Sequence, residues 1–150
     1  DNNFNDKISA FPIAVNNESK ISYLNISKMK FGASGNTFDR KINDHGSQFE
    51  SIYSQGSISY TLDDVLEKIG TVVPNYIKID VDGNELKVIK GMTDILKNEN
   101  LKSICIELNP KFNEHTEVFE ILNKNFKKYK KHQWYDGQEV FNYTFDKVIA

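Results

Sequence analysis

The chain has little of what several functions require. Among its 19 basic residues Arg40 is the lone arginine, so bidentate recognition of phosphate or carboxylate has little to draw on. The net charge of -2 leaves no basic excess and argues against a generic nucleic-acid binder. Cys105 is the single cysteine and cannot form an internal disulfide. It sits in the apolar run S-I-C-I-E-L, where a buried, inert thiol in a reducing, cytoplasmic compartment is expected. No apolar run approaches the ~18 residues of a membrane span, and no secretory leader pattern is visible. His45, His115 and His132 lack metal-ligand spacing, and each reads as a surface residue. There is no Walker loop and no G-x-S-x-G elbow. The G-A-S-G at residues 32–35 lacks dinucleotide-fingerprint spacing and reads as a flexible loop, with a substrate lid as the alternative.

What is present is enough for one domain. A chain of 150 residues can bury roughly 68–70% of its unfolded surface. It opens at Asp1 without an initiator Met, which reads as a piece of a longer protein. Residues 8–15 read as a strand, with Pro12 against it, and residues 20–26 as a second. The Asn-Asn-Glu-Ser between them predicts a hairpin. Residues 28–56, rich in Gly, Asn and Ser, have no period and predict a long loop with room for a short strand; loops of that length are usually functional or disordered.

Regularity returns at residues 57–60, a strand. Thr61 then predicts an N-cap with Asp63 and Asp64 in the first turn. Leu62, Val65, Leu66 and Ile69 share one helical face, closed by Gly70. A strand is expected over residues 76–81, a helix from about 83 to 90, a short helix capped by Thr93, and a buried strand over 103–108. Residues 114–126 form an amphipathic helix, and the lysines at 124–131 read as a solvated face that complements its dipole. A last strand is expected over 143–149. Strand–helix alternation of this kind indicates an α/β fold with a parallel, doubly wound sheet and helices on both faces.

The most informative stretch is Y-I-K-I-D-V-D-G-N-E-L at residues 76–86. An apolar strand delivers Asp80, Asp82 and Glu85 at its C-terminal end, where open α/β sheets place ligands. Asp82 with Glu85 three residues on is also a capping-box pattern, so structural and catalytic readings both stand. Asp80, at the end of a buried strand, needs a partner: a ligand, a metal or Lys78. A calcium loop is rejected. Asp80, Asp82 and Asn84 fit its first, third and fifth positions, but Glu85 occupies the glycine position and Gly91 that of the final Glu.

The I-K-I-D-V-D-G-N-E-L at residues 77–86, with Val88, Lys90 and Gly91 in register, resembles the hallmark of FkbM-family methyltransferases, roughly I-K-I-D-V-E-G-x-E-x-x-V-L-x-G. Asp82 stands for the usual Glu and Ile89 for the usual Leu. Upstream, T-L-D-D-V-L at 61–66 is similar to the family's T-L-D-D-L-L. Ile13-Ala14-Val15 resembles the end of its third strand, and the strand ending in Glu107 its fifth. The resemblance covers most of residues 8–108. It implies an S-adenosylmethionine-dependent O-methyltransferase acting on a hydroxyl of a sugar, polyketide or other small metabolite, with a Rossmann-like class I sheet. The implied strand order is 3-2-1-4-5-7-6, with the seventh strand antiparallel. Residues 76–81 would be the fourth strand, and the methyl group would lie near Asp80, with Ala14 and Asp80 beside the cofactor. Asp80 is the first choice for base or substrate-orienting residue, then Asp82 and Glu85, then Glu107.

The family's first two strands, with the Gly-rich loop and ribose-gripping acid, have no counterpart in this sequence. The sheet is therefore expected to be incomplete, with the fourth strand's inner edge exposed, and the chain alone is expected to be inactive and to bind the cofactor weakly. Two readings compete. One is a non-catalytic α/β scaffold or interaction domain; the other is a variant in which Asp80, Asp82 and Glu107 gather Mg²⁺. Oligomeric state is not legible.

Overall fold

The computed structural model describes residues 4, 6–32, 34–43 and 45–147. Its elements in chain order are β1 (Ala14–Val15), β2 (Lys20–Ile26), β3 (Thr37–Phe38), β4 (Tyr53–Tyr60), α1 (Leu62–Ile69), β5 (Tyr76–Ile79), α2 (Glu85–Lys90), α3 (Thr93–Lys97), β6 (Ser103–Leu108), α4 (Asn113–Asn125), β7 (Lys128–His132) and β8 (Phe141–Asp146). This is a mixed α/β fold with two four-stranded mixed sheets, in place of the expected single parallel one.

The first sheet has the order β1-β4-β2-β3. β4 lies between β1 and β2, parallel to the former and antiparallel to the latter, so the turn after β1 does not make the expected hairpin. Length decides the competition. β1 has two residues, and Pro12 just before it has no N–H to give a ladder. β4 has eight residues and pairs with all seven of β2. The expected long loop contains β3 and the first half of β4. That half is exposed, so it carries no alternation of apolar and polar residues from which a strand could be read.

The second sheet has the order β5-β6-β8-β7. β5 and β6 are parallel, and β8 runs against both β6 and β7. This is the 4-5-7-6 order, with the seventh strand reversed, that the resemblance implies for this half. The lysine run departs from expectation. α4 stops at Asn125, where the Phe126 N–H meets the Leu122 carbonyl at 2.8 Å, and the lysines beyond it form β7. Lysine-rich edge strands resist pairing with other chains. β8 starts two residues before the predicted strand; residues 148 and 149 of that prediction lie outside the described residues.

The core follows from register. Ile77 pairs with Ile104, Ile79 with Ile106, and these with Phe145 and Tyr143, so one face of the second sheet is almost wholly apolar. Leu86, Val88 and Ile89 of α2 and Val118 and Leu122 of α4 join it in one buried cluster. Each such side chain contributes about 1.5–3 kcal/mol on burial. α1 forms as predicted: the Thr61 hydroxyl accepts from the Asp64 N–H at 3.0 Å, and Gly70 closes the helix with φ 64°. Its Leu62 and Leu66 are partly buried against the cluster. Among the described residues no helix is long and apolar enough to cross a membrane.

Candidate functional site

β5 ends at Ile79, and the chain turns into α2 through residues 80–84. The turn needs two left-handed residues, Asp82 at φ 50° and Gly83 at φ 104°. Aspartate is among the few non-glycine residues that tolerate this conformation. Asp80 is not buried as the strand pattern suggested. Its side chain is 55% exposed and pairs with Lys78 Nζ at 3.0 Å, one of the three partners expected.

Asp82 does not cap α2. The helix starts after Asn84, whose side chain makes no cap bond. The Asp82 carboxylate instead accepts the Gly35 N–H at 2.8 Å. That contact is the first of a series in which residues 35–40 dock onto residues 82–87. Asn84 Nδ2 donates to the Phe38 carbonyl at 3.0 Å. Lys87 Nζ reaches Asp39 Oδ2 at 3.1 Å. Arg40 Nη2 donates to the Gly83 carbonyl, while its Nη1 holds both Glu114 oxygens at 2.8 and 2.9 Å. The lone arginine thus makes a fork-like, charge-assisted clamp inside the protein. Asp39, itself left-handed at φ 68°, also takes Lys20 at 2.6 Å and Ser22 at 2.8 Å. The hydrogen bond from Lys20, ahead of those from Lys87 and Ser22, holds its carboxyl well below the usual carboxylate range against the opposing effect of burial.

Glu85 is 2% exposed and is fixed at both oxygens. Oε1 accepts the Gly83 N–H at 3.1 Å, and Oε2 faces His115 Nε2 at 3.0 Å. His115 Nδ1 accepts the Asn109 N–H at 2.7 Å, which places the ring proton on Nε2, donated to Glu85. His115 is therefore a core residue at 1% exposure, not the surface residue expected. The polar Glu85–His115 pair joins α2 to α4 behind the turn.

Glu107 lies on the second sheet's polar face. Asp80 and Glu107 each follow a paired residue, Ile79 and Ile106, on adjacent parallel strands. Asn142 Nδ2 reaches Glu107 Oε1 at 3.5 Å, and Cys105 Sγ reaches Asn142 Oδ1 at 3.8 Å. Cys105 is half-buried on this face, not enclosed in the core. Ala14 is in β1 of the other sheet, paired with Ser59. Among the described residues no three His, Cys, Asp or Glu side chains gather where they could hold a metal ion.

The structure thus brings Asp82 and Glu85 into one internally bonded turn and leaves Asp80 exposed beside it. Sequence reasoning missed Gly35, Asp39, Arg40, Asn84 and His115. Arg40 stood out as the solitary arginine, Asn84 lay in the motif at residues 77–86 and Gly35 in the G-A-S-G, but none of these signals named a partner, because the partners lie far apart in sequence.

No curated relative and no solved structure matches this chain. The family model of the methyltransferase FkbM domain matches residues 2–131, most of the sequence, including the acidic turn and the segment docked on it. The chain belongs to the FkbM methyltransferase family.

Proposed function

We propose that this chain is the acid-bearing, C-terminal portion of an S-adenosylmethionine-dependent O-methyltransferase with a Rossmann-like sheet, methylating a hydroxyl of a sugar, polyketide or other small metabolite. The observation that carries this reading is the place of Asp80, an exposed carboxylate at the C-terminal end of β5. β5 is the outermost strand of its sheet. A further strand on its open edge would continue the order toward strand one and set a second wall opposite Asp80, at the strand ends where α/β sheets bind ligands.

The residues fit the cofactor in charge. S-adenosylmethionine carries a sulfonium and an ammonium, and Asp80 offers an anionic group that no buried bond consumes. Asp82 and Glu85 are engaged internally. Asp80 would therefore face the cofactor, with Ala14 the second expected neighbour. When bound, the cofactor supplies a methyl group on a positively charged sulfur. Asp80 would orient the acceptor hydroxyl and receive its proton, with Lys78 Nζ held beside it at 3.0 Å. Glu107, one strand over, is the second acid. Asp82 and Glu85 hold the turn, and the family's Glu in place of Asp82 would reach one methylene further.

Calorimetric titration of S-adenosylmethionine tests the reading. The full-length parent should bind, and residues 1–150 alone should bind weakly or not at all. Asp80→Asn in the parent should lower kcat by about 10²-fold or more with cofactor affinity nearly unchanged. Absence of binding by the parent overturns the proposal in favour of a non-catalytic domain.

A further inference from the structure

Past the end of β2, Ile26, Lys28, Met29, Lys30, Phe31 and Asn36 line an open, mostly apolar cavity of about 540 Å³. Small-molecule sites occupy ~300–1,000 Å³. Met29 and Phe31 are 77% and 105% exposed, and leaving such side chains in water forgoes their burial energy. Lys28 and Lys30 alternate with them. Among the described residues neither lysine is paired with a carboxylate, which is true of most lysines here; Lys20, Lys78, Lys87, Lys90 and Lys111 are paired. The neck of the loop is closed: the Ser27 N–H meets Asn36 Oδ1 at 3.1 Å, and Ser27 Oγ meets the Ser34 carbonyl at 3.3 Å. The next residue, Gly35, is the one that holds Asp82. The cavity is thereby tethered to the turn that carries Asp80.

We propose that this cavity selects the acceptor, and that the acceptor is a small soluble amphiphile. Its apolar body would lie against Ile26, Met29 and Phe31, and its phosphate or carboxylate would meet Lys28 and Lys30. The purpose of the site rests on the O-methyltransferase reading; the binding itself does not. Two lysines are point charges on flexible stems, suited to an anion without demanding the bidentate geometry that arginine supplies. An uncharged sugar uses neither the apolar wall nor the cations. The volume of the cavity suits one small molecule.

The test is a set of ¹H–¹⁵N spectra of the 1–150 chain titrated with monomeric octyl phosphate, with octyl glucoside as the uncharged match and phosphatidylglycerol vesicles as the membrane arm. Octyl phosphate should give saturable shifts at the amides of residues 26–31 and Asn36. Octyl glucoside should bind about tenfold more weakly or worse, as should octyl phosphate to the Lys28→Glu, Lys30→Glu double variant and to Phe31→Ser. Equal affinity for the two probes overturns the proposal, as do shifts centred on the β7 lysines or preferential capture by vesicles. Concentration-dependent shifts at these amides without any probe also overturn it, since a second copy would then cover the cavity. No cofactor or turnover enters the measurement, so a failure of methyl transfer would count against the enzyme reading and not against this one.

Discussion

The two sheets are held by different forces. Of the buried hydrophobic side chains among the described residues, only Phe38 comes from the first sheet and its loops; every other one lies from Ile79 to Phe145. The first sheet leaves Ile21, Tyr23, Tyr53 and Ile58 exposed. Beside the packing of Val15 on the core and the close approach of Asn16 to Gly91, its attachment to the rest includes polar contacts that converge on residues 82–87 and on Glu114. Apolar packing is non-directional and weakly dependent on salt or pH; hydrogen-bonded charges are directional and titrate. The packed sheet therefore supplies stability, and the tethered sheet fixes the geometry of the acidic turn. Three described contacts made on one turn, from Gly35, Phe38 and Arg40 to Asp82, Asn84 and Gly83, are a means of holding a backbone in a left-handed conformation that few sequences adopt alone.

The sharpest test of that contrast is deletion of matched aromatic groups. Phe145→Ala should cost about 4 kcal/mol, while Tyr23→Ala should stay within about 0.5 kcal/mol; urea unfolding of the two variants compares them directly. Similar losses would mean that the first sheet also rests on packing. Next is the polar pair inside the packed half. Glu85→Ala leaves His115 without its buried partner and should cost about 3 kcal/mol, seen as a lowered unfolding midpoint and as the loss of hydrogen-exchange protection at the Gly83 amide.

Gly91 is a place where the halves meet backbone to backbone. A Cβ there would lie 2.1 Å from the Asn16 carbonyl oxygen. Gly91→Ala should destabilise by about 2–3 kcal/mol and accelerate exchange of the β1 and β4 amides before those of β6 and β8. Uniform acceleration would show that the two sheets unfold as one unit.

The smallest effect belongs to the tethers. Asp39→Asn should cost about 1–2 kcal/mol at neutral pH. The folded pKa of Asp39 lies below its unfolded value. The stabilisation is therefore complete above about pH 4 and is lost as pH falls through the folded pKa. The gap between wild type and Asp39→Asn in urea midpoints should accordingly narrow below about pH 4; a gap independent of pH would remove the ionic tether from the comparison.

Much of the packed half was legible. The i, i+3, i+4, i+7 spacing of Leu62, Val65, Leu66 and Ile69 and the Thr61 and Gly70 caps placed α1, and the apolar runs placed β5 and β6, because each signal is local in sequence. The lysine run was misread because an edge strand, exposed on both faces, carries no period. The hairpin was misread because strand pairing is a competition among partners, and β4 lies more than 25 residues from the end of β2.

By itself the sequence determined which segments could bury apolar surface, and the motif at residues 77–86 determined the family. What only the tertiary structure decided was the employment of the acidic residues. Asp82 and Glu85 looked like a helix cap or a catalytic pair; the fold turns one into a dock for Gly35 and the other into the partner of a buried histidine. Asp80 looked buried and is exposed. The physical reason is that a carboxylate's role depends on which donors reach it, and here those donors come from Gly35 and His115, tens of residues away along the chain.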